Sequence, residues 1–165
     1  MDIKDVKLIA FDFDGVFTDG MVYVDQNGKE SVRCSRKDGM GIALLKKNNI
    51  PCVVISTEKN PVVAARCEKL QLDYFQGVDS ALKKREVLER YCVEREIVLS
   101  DVAYVGDDIN DAEVLRVVGY PMTVADGHHS LDSIVVWKTS RAGGGHAVRE
   151  ICEYILMAKG VLMVY

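Results

Sequence analysis

The sequence is poor in the features that would place it in a special class. It has one tryptophan and three prolines in 165 residues, and no long apolar run. No stretch approaches the ~18–20 consecutive apolar residues of a membrane-spanning helix. Met1-Asp2-Ile3-Lys4-Asp5 carries charge where a secretory leader needs an apolar stretch. A basic excess is also missing: 21 Lys and Arg stand against 25 Asp and Glu, a net charge of −4. A general nucleic-acid binder wants a basic face, so neither nucleic acid nor a membrane is expected as partner. A small anion held in a locally positive site remains compatible. Cysteine pairs at metal or redox spacing are lacking too. Cys34, Cys52, Cys67, Cys92 and Cys152 are odd in number and nowhere form Cys-x-x-Cys. They read as reduced, mostly core thiols of a cytoplasmic protein.

What is present is an ordinary globular balance, 48% hydrophobic and 28% charged. The length suits a single domain over residues 1–165, able to bury roughly 68–70% of its unfolded surface. Short apolar runs alternate with helical periodicity. Val6–Phe13, Cys52–Ile55, Val102–Val105 and Val135–Trp137 read as strands. Helices are expected at about Gly41–Asn49, Pro61–Leu70, Lys84–Val93, Asp111–Val117 and Ala147–Lys159. In the last, Val148, Ile151, Cys152, Ile155 and Leu156 share one face. Asn60-Pro61 is a helix-start pair. Such alternation predicts a doubly wound, mostly parallel, Rossmann-like α/β sheet covered on both faces. One segment departs from it: Met21–Val24, an Asn27-Gly28 turn and Lys29–Arg33 form a β-hairpin flap just after the first strand.

In such sheets ligands bind beyond the carboxyl ends of the strands. There the sequence sets Asp12 and Asp14, then Ser56 and Thr57, then Asp107 and Asp108 with Asp111 close behind. Acids converging on one edge repel each other, and hard oxygen donors in this number favour Mg²⁺ as the compensating cation. Single acids after strands serve as turn or cap residues; the set as a whole points to chemistry. A metal with a nearby carboxylate suits phosphoryl transfer through an aspartyl-phosphate.

Phe11-Asp12-Phe13-Asp14-Gly15-Val16-Phe17-Thr18-Asp19-Gly20 resembles the first motif of the haloacid dehalogenase superfamily of phosphatases. Ser56 after Val53-Val54-Ile55 resembles the second, a helix-start lysine the third, and Gly106-Asp107-Asp108-Ile109-Asn110-Asp111 the fourth. The resemblance implies that Asp12 is the nucleophile and Asp14 the acid/base. It implies Mg²⁺ on Asp12, the Asp14 carbonyl and Asp107, with Asp108 and Asp111 orienting ligands and the lysine. Ser56 and the Thr57 amide would donate to the phosphoryl oxygens. The helix pattern matches best with Lys84 as the lysine; Lys83 is the alternative, because Ser80-Ala81-Leu82 looks like an insertion ahead of it.

Asp12 and Ser56 lie 44 positions apart, Ser56 and Lys84 28 apart, too few for a separate cap domain in either gap. The capless branch it resembles includes the 3-deoxy-D-manno-octulosonate 8-phosphate phosphatases and the 9-phosphate phosphatases of nine-carbon keto-deoxy sugar acids. Lys37-Asp38-Gly39-Met40-Gly41-Ile42 and Gly143-Gly144-Gly145-His146-Ala147-Val148-Arg149-Glu150 carry that likeness. It implies a homotetramer whose neighbouring subunits cover each site, with the hairpin as a plausible contact. Arg66 and Lys69, three apart on one helix, either clamp a substrate carboxylate or form a solvated basic face. Glu58, where eight-carbon enzymes carry arginine, resembles the nine-carbon enzymes with Arg66 and Lys69. The rival reading is a non-catalytic oligomerisation domain, of the kind fused to sialic acid cytidylyltransferases.

Overall fold

The computed structural model describes residues 2–161. The elements in chain order are β1 (Leu8–Phe11), β2 (Tyr23–Val24), β3 (Glu30–Ser31), α1 (Arg36–Lys47), β4 (Cys52–Ile55) and α2 (Val62–Leu70). There follow β5 (Asp73–Phe75), α3 (Ala81–Val93), β6 (Val102–Gly106), α4 (Ala112–Leu115), β7 (Tyr120–Thr123), β8 (Trp137–Lys138) and α5 (Ala147–Ala158). Six strands form one sheet in the order β5-β4-β1-β6-β7-β8, and every neighbouring pair runs parallel. β2 and β3 make a separate antiparallel hairpin.

Period-two alternation explains why the central strands are apolar throughout. Ile9, Phe11, Cys52, Val54, Ala103 and Val105 face a core shared with α1, α2 and α5. Leu8, Ala10, Val53, Ile55, Val102 and Tyr104 face a second core shared with α3 and α4. Each fully buried aliphatic side chain contributes about 1.5–3 kcal/mol, so both sheet faces are firmly covered. The doubly wound architecture expected from the alternation is the one observed. All five thiols are free, and four of them are buried. Among the described residues no helix is long and apolar enough to cross a membrane.

Boundaries depart from expectation for identifiable reasons. α1 begins at Arg36 rather than Gly41, because Ser35 accepts from the Lys37 amide as its cap. Gly41 within it serves packing: a Cβ would lie 3.1 Å from the Arg149 Cα of α5. α3 starts at Ala81 rather than Lys84, with Ser80 as its cap, so the apparent insertion is the helix's first turn. The expected helix Asp111–Val117 is a 3₁₀ turn, Ile109–Asp111, followed by the short α4. β1 is shorter than Val6–Phe13, since Ile3–Asp5 winds as a 3₁₀ turn and residues after Phe11 bend away. The last strand sits at Trp137–Lys138 rather than Val135–Trp137. β7 went unread because Pro121 interrupts the run; Pro121 has no N–H for the ladder, and its carbonyl accepts from the Val136 amide.

The chain winds outward from β1 to β4 and β5, then returns to β6 on the other side of β1. The β1/β6 junction is therefore the topological switch point, where a crevice opens at the carboxyl ends.

Candidate active site

Asp12 follows β1 and Asp107 follows β6, so both reach the switch-point crevice; the Asp12 amide donates to the Val105 carbonyl at 2.8 Å. Asp12, Asp14, Gly15, Thr57, Asp107 and Asp108 line a cleft of about 280 Å³. The loop after β1 is pinned from below. Phe13 and Phe17 stack at 5.8 Å, and Phe11 meets Phe17 edge-on at 5.5 Å. With Phe13 turned into the core, Asp12 and Asp14 are left on the cleft side. Thr18, buried and overlooked in the sequence, accepts from the Gly15 and Gly20 amides and donates to Asp14 Oδ1 at 3.3 Å.

Two glycines are demanded here. Gly15 has φ +72°, and a Cβ on it would lie 1.8 Å from Asp107 Oδ2. Gly143 brings the glycine-rich loop against the same turn, where a Cβ would lie 1.8 Å from the Gly15 carbonyl oxygen.

The lysine alternative resolves to Lys84. Its Nζ lies 2.6 Å from Asp12 Oδ2 and 2.8 Å from Asp111 Oδ1, and its side chain is wholly buried. Lys83 is exposed and pairs with Asp79. Asp111 also accepts from the Tyr104 hydroxyl at 2.7 Å and the Asp107 amide at 3.0 Å. Tyr104 was missed because a tyrosine in a buried strand reads as core. Asp108 is exposed, lines the cleft and caps the 3₁₀ turn, accepting from the Ile109 amide; it makes no hydrogen bond to Lys84.

Carboxylate oxygens of Asp12, Asp107 and Asp111 lie within 4.8 Å of one another. Three carboxylates face one ammonium, which leaves an excess of negative charge in a buried place. Accordingly burial and the Asp111 charge push Asp107 up to about 7. Burial and Asp111 also raise Asp12 well above the usual carboxylate range, against the pull of Lys84. Burial depresses the Lys84 ammonium, and Asp12 with Asp111 more than reverses this, leaving its pKa above the ordinary value. An all-oxygen donor set of excess charge fits a hard divalent cation. Asp14 is raised by burial and by Glu58, with Thr18 acting against the shift.

Ser56 is buried after β4; its hydroxyl accepts from the Glu58 amide at 3.0 Å. Glu58 Oε1 is taken up by the Lys59 and Asn60 amides at 2.6 and 2.7 Å. Arg66 and Lys69 do not form a joint clamp within this chain. Arg66 turns inward to donate to the Ser35 carbonyl at 2.7 Å, Lys69 is exposed, and neither lines the cleft.

An acid after β1 facing acids after β6, with a buried lysine between them, defines a hydrolase site of the class anticipated from the motifs. Comparison with known proteins agrees. Residues 43–142 match the family model of the haloacid dehalogenase-like hydrolases. Over 161 residues the chain is 36% identical to the 3-deoxy-D-manno-octulosonate 8-phosphate phosphatase KdsC of Salmonella typhi, covering 96% of this chain and 84% of that protein. It is 35% identical to KdsC of Escherichia coli K12 over the same length. The crystal structure of the corresponding phosphatase of Moraxella catarrhalis, in complex with magnesium ion, phosphate ion and KDO, superposes with a TM-score of 0.90 at 32% identity, covering 96% of this chain and 90% of that one.

The chain therefore belongs to the haloacid dehalogenase-like hydrolases. Within them it is a phosphatase, an enzyme that cleaves a phosphate monoester.

Proposed function

We propose that the chain hydrolyses the terminal phosphate of a 2-keto-3-deoxy sugar acid through an aspartyl-phosphate on Asp12. The observation that carries this is the buried Asp12–Lys84 contact at 2.6 Å at the floor of a cleft that also holds Asp14 and Asp107. A carboxylate oxygen of Asp12 attacks phosphorus as the ester oxygen leaves. Asp14, whose pKa burial raises above the usual carboxylate range, delivers a proton to the departing alkoxide. The same carboxylate then takes a proton from the water that attacks the acyl phosphate, returning Asp12 and releasing inorganic phosphate. Lys84 offsets charge on Asp12, and Ser56 with the Thr57 amide donates to the phosphoryl oxygens. Asp12, the Asp14 carbonyl and Asp107 would hold Mg²⁺, which neutralises the excess acid and the phosphoryl charge.

For chain length, Glu58 favours a nine-carbon 9-phosphate, because a carboxylate accepts from sugar hydroxyls where an arginine would seek an anion. Its Oε2 is the oxygen left for that task, since Oε1 serves the loop amides. The eight-carbon 8-phosphate is the second reading, favoured by the named activity of the KdsC relatives. Arg66 and Lys69 are the candidate partners of the substrate carboxylate, and neighbouring subunits of a homotetramer cover the site. The presence of Asp12, Asp14, Ser56, Lys84 and Asp107 together argues against a purely structural oligomerisation role.

The test is Mg²⁺-dependent phosphate release from a panel of sugar-acid phosphates, with Asp12→Asn as control. Release from 9-phosphates at higher kcat/KM than from 8-phosphates supports the nine-carbon reading; the reverse order assigns the eight-carbon substrate. No release from either refutes the sugar-acid proposal.

A further inference from the structure

Asp111 is unusual in how many donors converge on it. Its Oδ1 accepts from Lys84 Nζ at 2.8 Å and from the Tyr104 hydroxyl at 2.7 Å. Its Oδ2 accepts from the Asp107 amide at 3.0 Å. Tyr104 reaches it from inside the protein. The ring is wholly buried in β6, packed in the cluster that contains Leu88, Val114 and Leu115, so its rotamer has no other place to put the hydroxyl. Burial, with Asp111 and Asp12 nearby, raises the phenol far above the usual tyrosine range, so it keeps the proton that it donates to Asp111.

A carboxylate torsion is soft. Without the tyrosine only backbone amides on Oδ2, from Asp107 at 3.0 Å and more weakly from Asp108 at 3.5 Å, would hold the plane, and the group could tilt and draw Lys84 with it. A second, rigid donor on Oδ1 fixes the plane and also takes up part of the charge that would otherwise pull the ammonium away from Asp12. We infer that Tyr104 is a positioning residue: its hydroxyl fixes the Asp111 carboxylate and, through it, the seat of the Lys84 ammonium between Asp111 and Asp12. This rests on the hydrolytic role proposed for Asp12 and Lys84. A tyrosine merely satisfying its hydroxyl in the core would predict the same hydrogen bond but no link to turnover.

Tyr104→Phe removes the hydroxyl and keeps the ring, so the core stays filled. With an unspecific phosphate monoester such as para-nitrophenyl phosphate, kcat should fall about ten- to a hundredfold, the range of one lost hydrogen bond to a charged group, while KM stays within twofold. In an Asp111→Asn background the same substitution should cost nothing further. A kcat within twofold of the parent, or an undiminished effect in that background, overturns the assignment. A second arm needs no turnover. Lys84 is the one buried lysine among the described residues, so in the metal-free protein its ¹⁵N-labelled ammonium should give a slowly exchanging NMR signal. That signal should broaden or vanish in Tyr104→Phe while the amide spectrum keeps its native dispersion. An unchanged signal refutes the positioning role. If the parent hydrolyses no monoester at all, the hydrolytic reading fails, and this arm alone still decides the place of Tyr104.

Discussion

Lys84 Nζ sits 2.6 Å from Asp12 Oδ2, joining the first turn of α3 to the end of β1 across the interior of the protein. Lys84 is sealed from solvent and Asp12 opens only slightly to the cleft, so neither charge is well hydrated. Removing the ammonium leaves two buried carboxylates facing each other. Lys84→Met should therefore lower turnover by at least about a hundredfold and destabilise the fold by about 3–5 kcal/mol. Lys83→Ala, which loses only an exposed pair with Asp79, should change both by little. Phosphate release and urea denaturation check this; equal effects from the two lysines would refute it.

Asp12→Asn keeps the shape of the side chain and its acceptor for the Phe13 amide, which lies 2.7 Å from Asp12 Oδ1. It removes the attacking carboxylate. Phosphate release should vanish while the circular dichroism spectrum remains native. Residual turnover near the parent level would exclude Asp12 as nucleophile.

Gly15→Ala should be far more harmful than an ordinary loop substitution. The positive φ strains any side chain, and the new Cβ would overlap Asp107. We expect weakened Mg²⁺ dependence, read as a rise of at least tenfold in the half-saturating Mg²⁺ concentration. An unaltered Mg²⁺ titration would show that Asp107 holds no metal.

Asp38 provides a pH signature away from the chemistry. It is buried on α1 and accepts from the Arg149 amide, thereby capping α5, while its Oδ2 has no partner. Burial pushes its pKa up to about 6, against the Arg149 amide and Arg66. A carboxyl that holds its proton more tightly when folded contributes stability at low pH and loses it as pH rises. From this group the loss should accrue between about pH 4 and pH 6, to at most about 3 kcal/mol. Asp38→Asn should flatten that part of the stability profile. Denaturation midpoints at pH 4 and pH 7 that fall equally in both proteins would contradict it.

The hairpin exposes Met21, Val22, Tyr23 and Val24, each at least half open to solvent. A contiguous apolar strip of this kind suits a subunit contact. A homotetramer should therefore sediment as a smaller species when Met21→Glu and Tyr23→Glu are combined. A parent that sediments as a fully active monomer would remove the tetramer from the proposal.

The strand-end acids were legible in the sequence because their positions follow from local facts: apolar runs that end in aspartate, glycine where the chain must turn. Lys84, by contrast, was favoured only by the resemblance, with Lys83 as the alternative. Adjacent helix residues differ by about 100° in direction, and only the packing of α3 decides which one points inward. Asp108 was assigned an orienting role by the motif resemblance; it lines the cleft, and its carboxylate also caps the next turn. Tyr104 was invisible, since a buried hydroxyl carries no sequence pattern that separates it from core, and Thr18 stood in the first motif without an assigned role. Arg66 and Lys69 share a helix and were read as a pair, but Arg66 is drawn to the Ser35 carbonyl of another element.

What the sequence determined by itself was the alternation of strand and helix and the order of the acids along the chain, because side-chain periodicity and turn chemistry act over a few residues. What the tertiary structure alone decided was which of those acids meet. Asp12 and Asp111 are almost a hundred positions apart, and it is the adjacency of β1 and β6, set by covering both faces of the sheet, that brings them to one lysine.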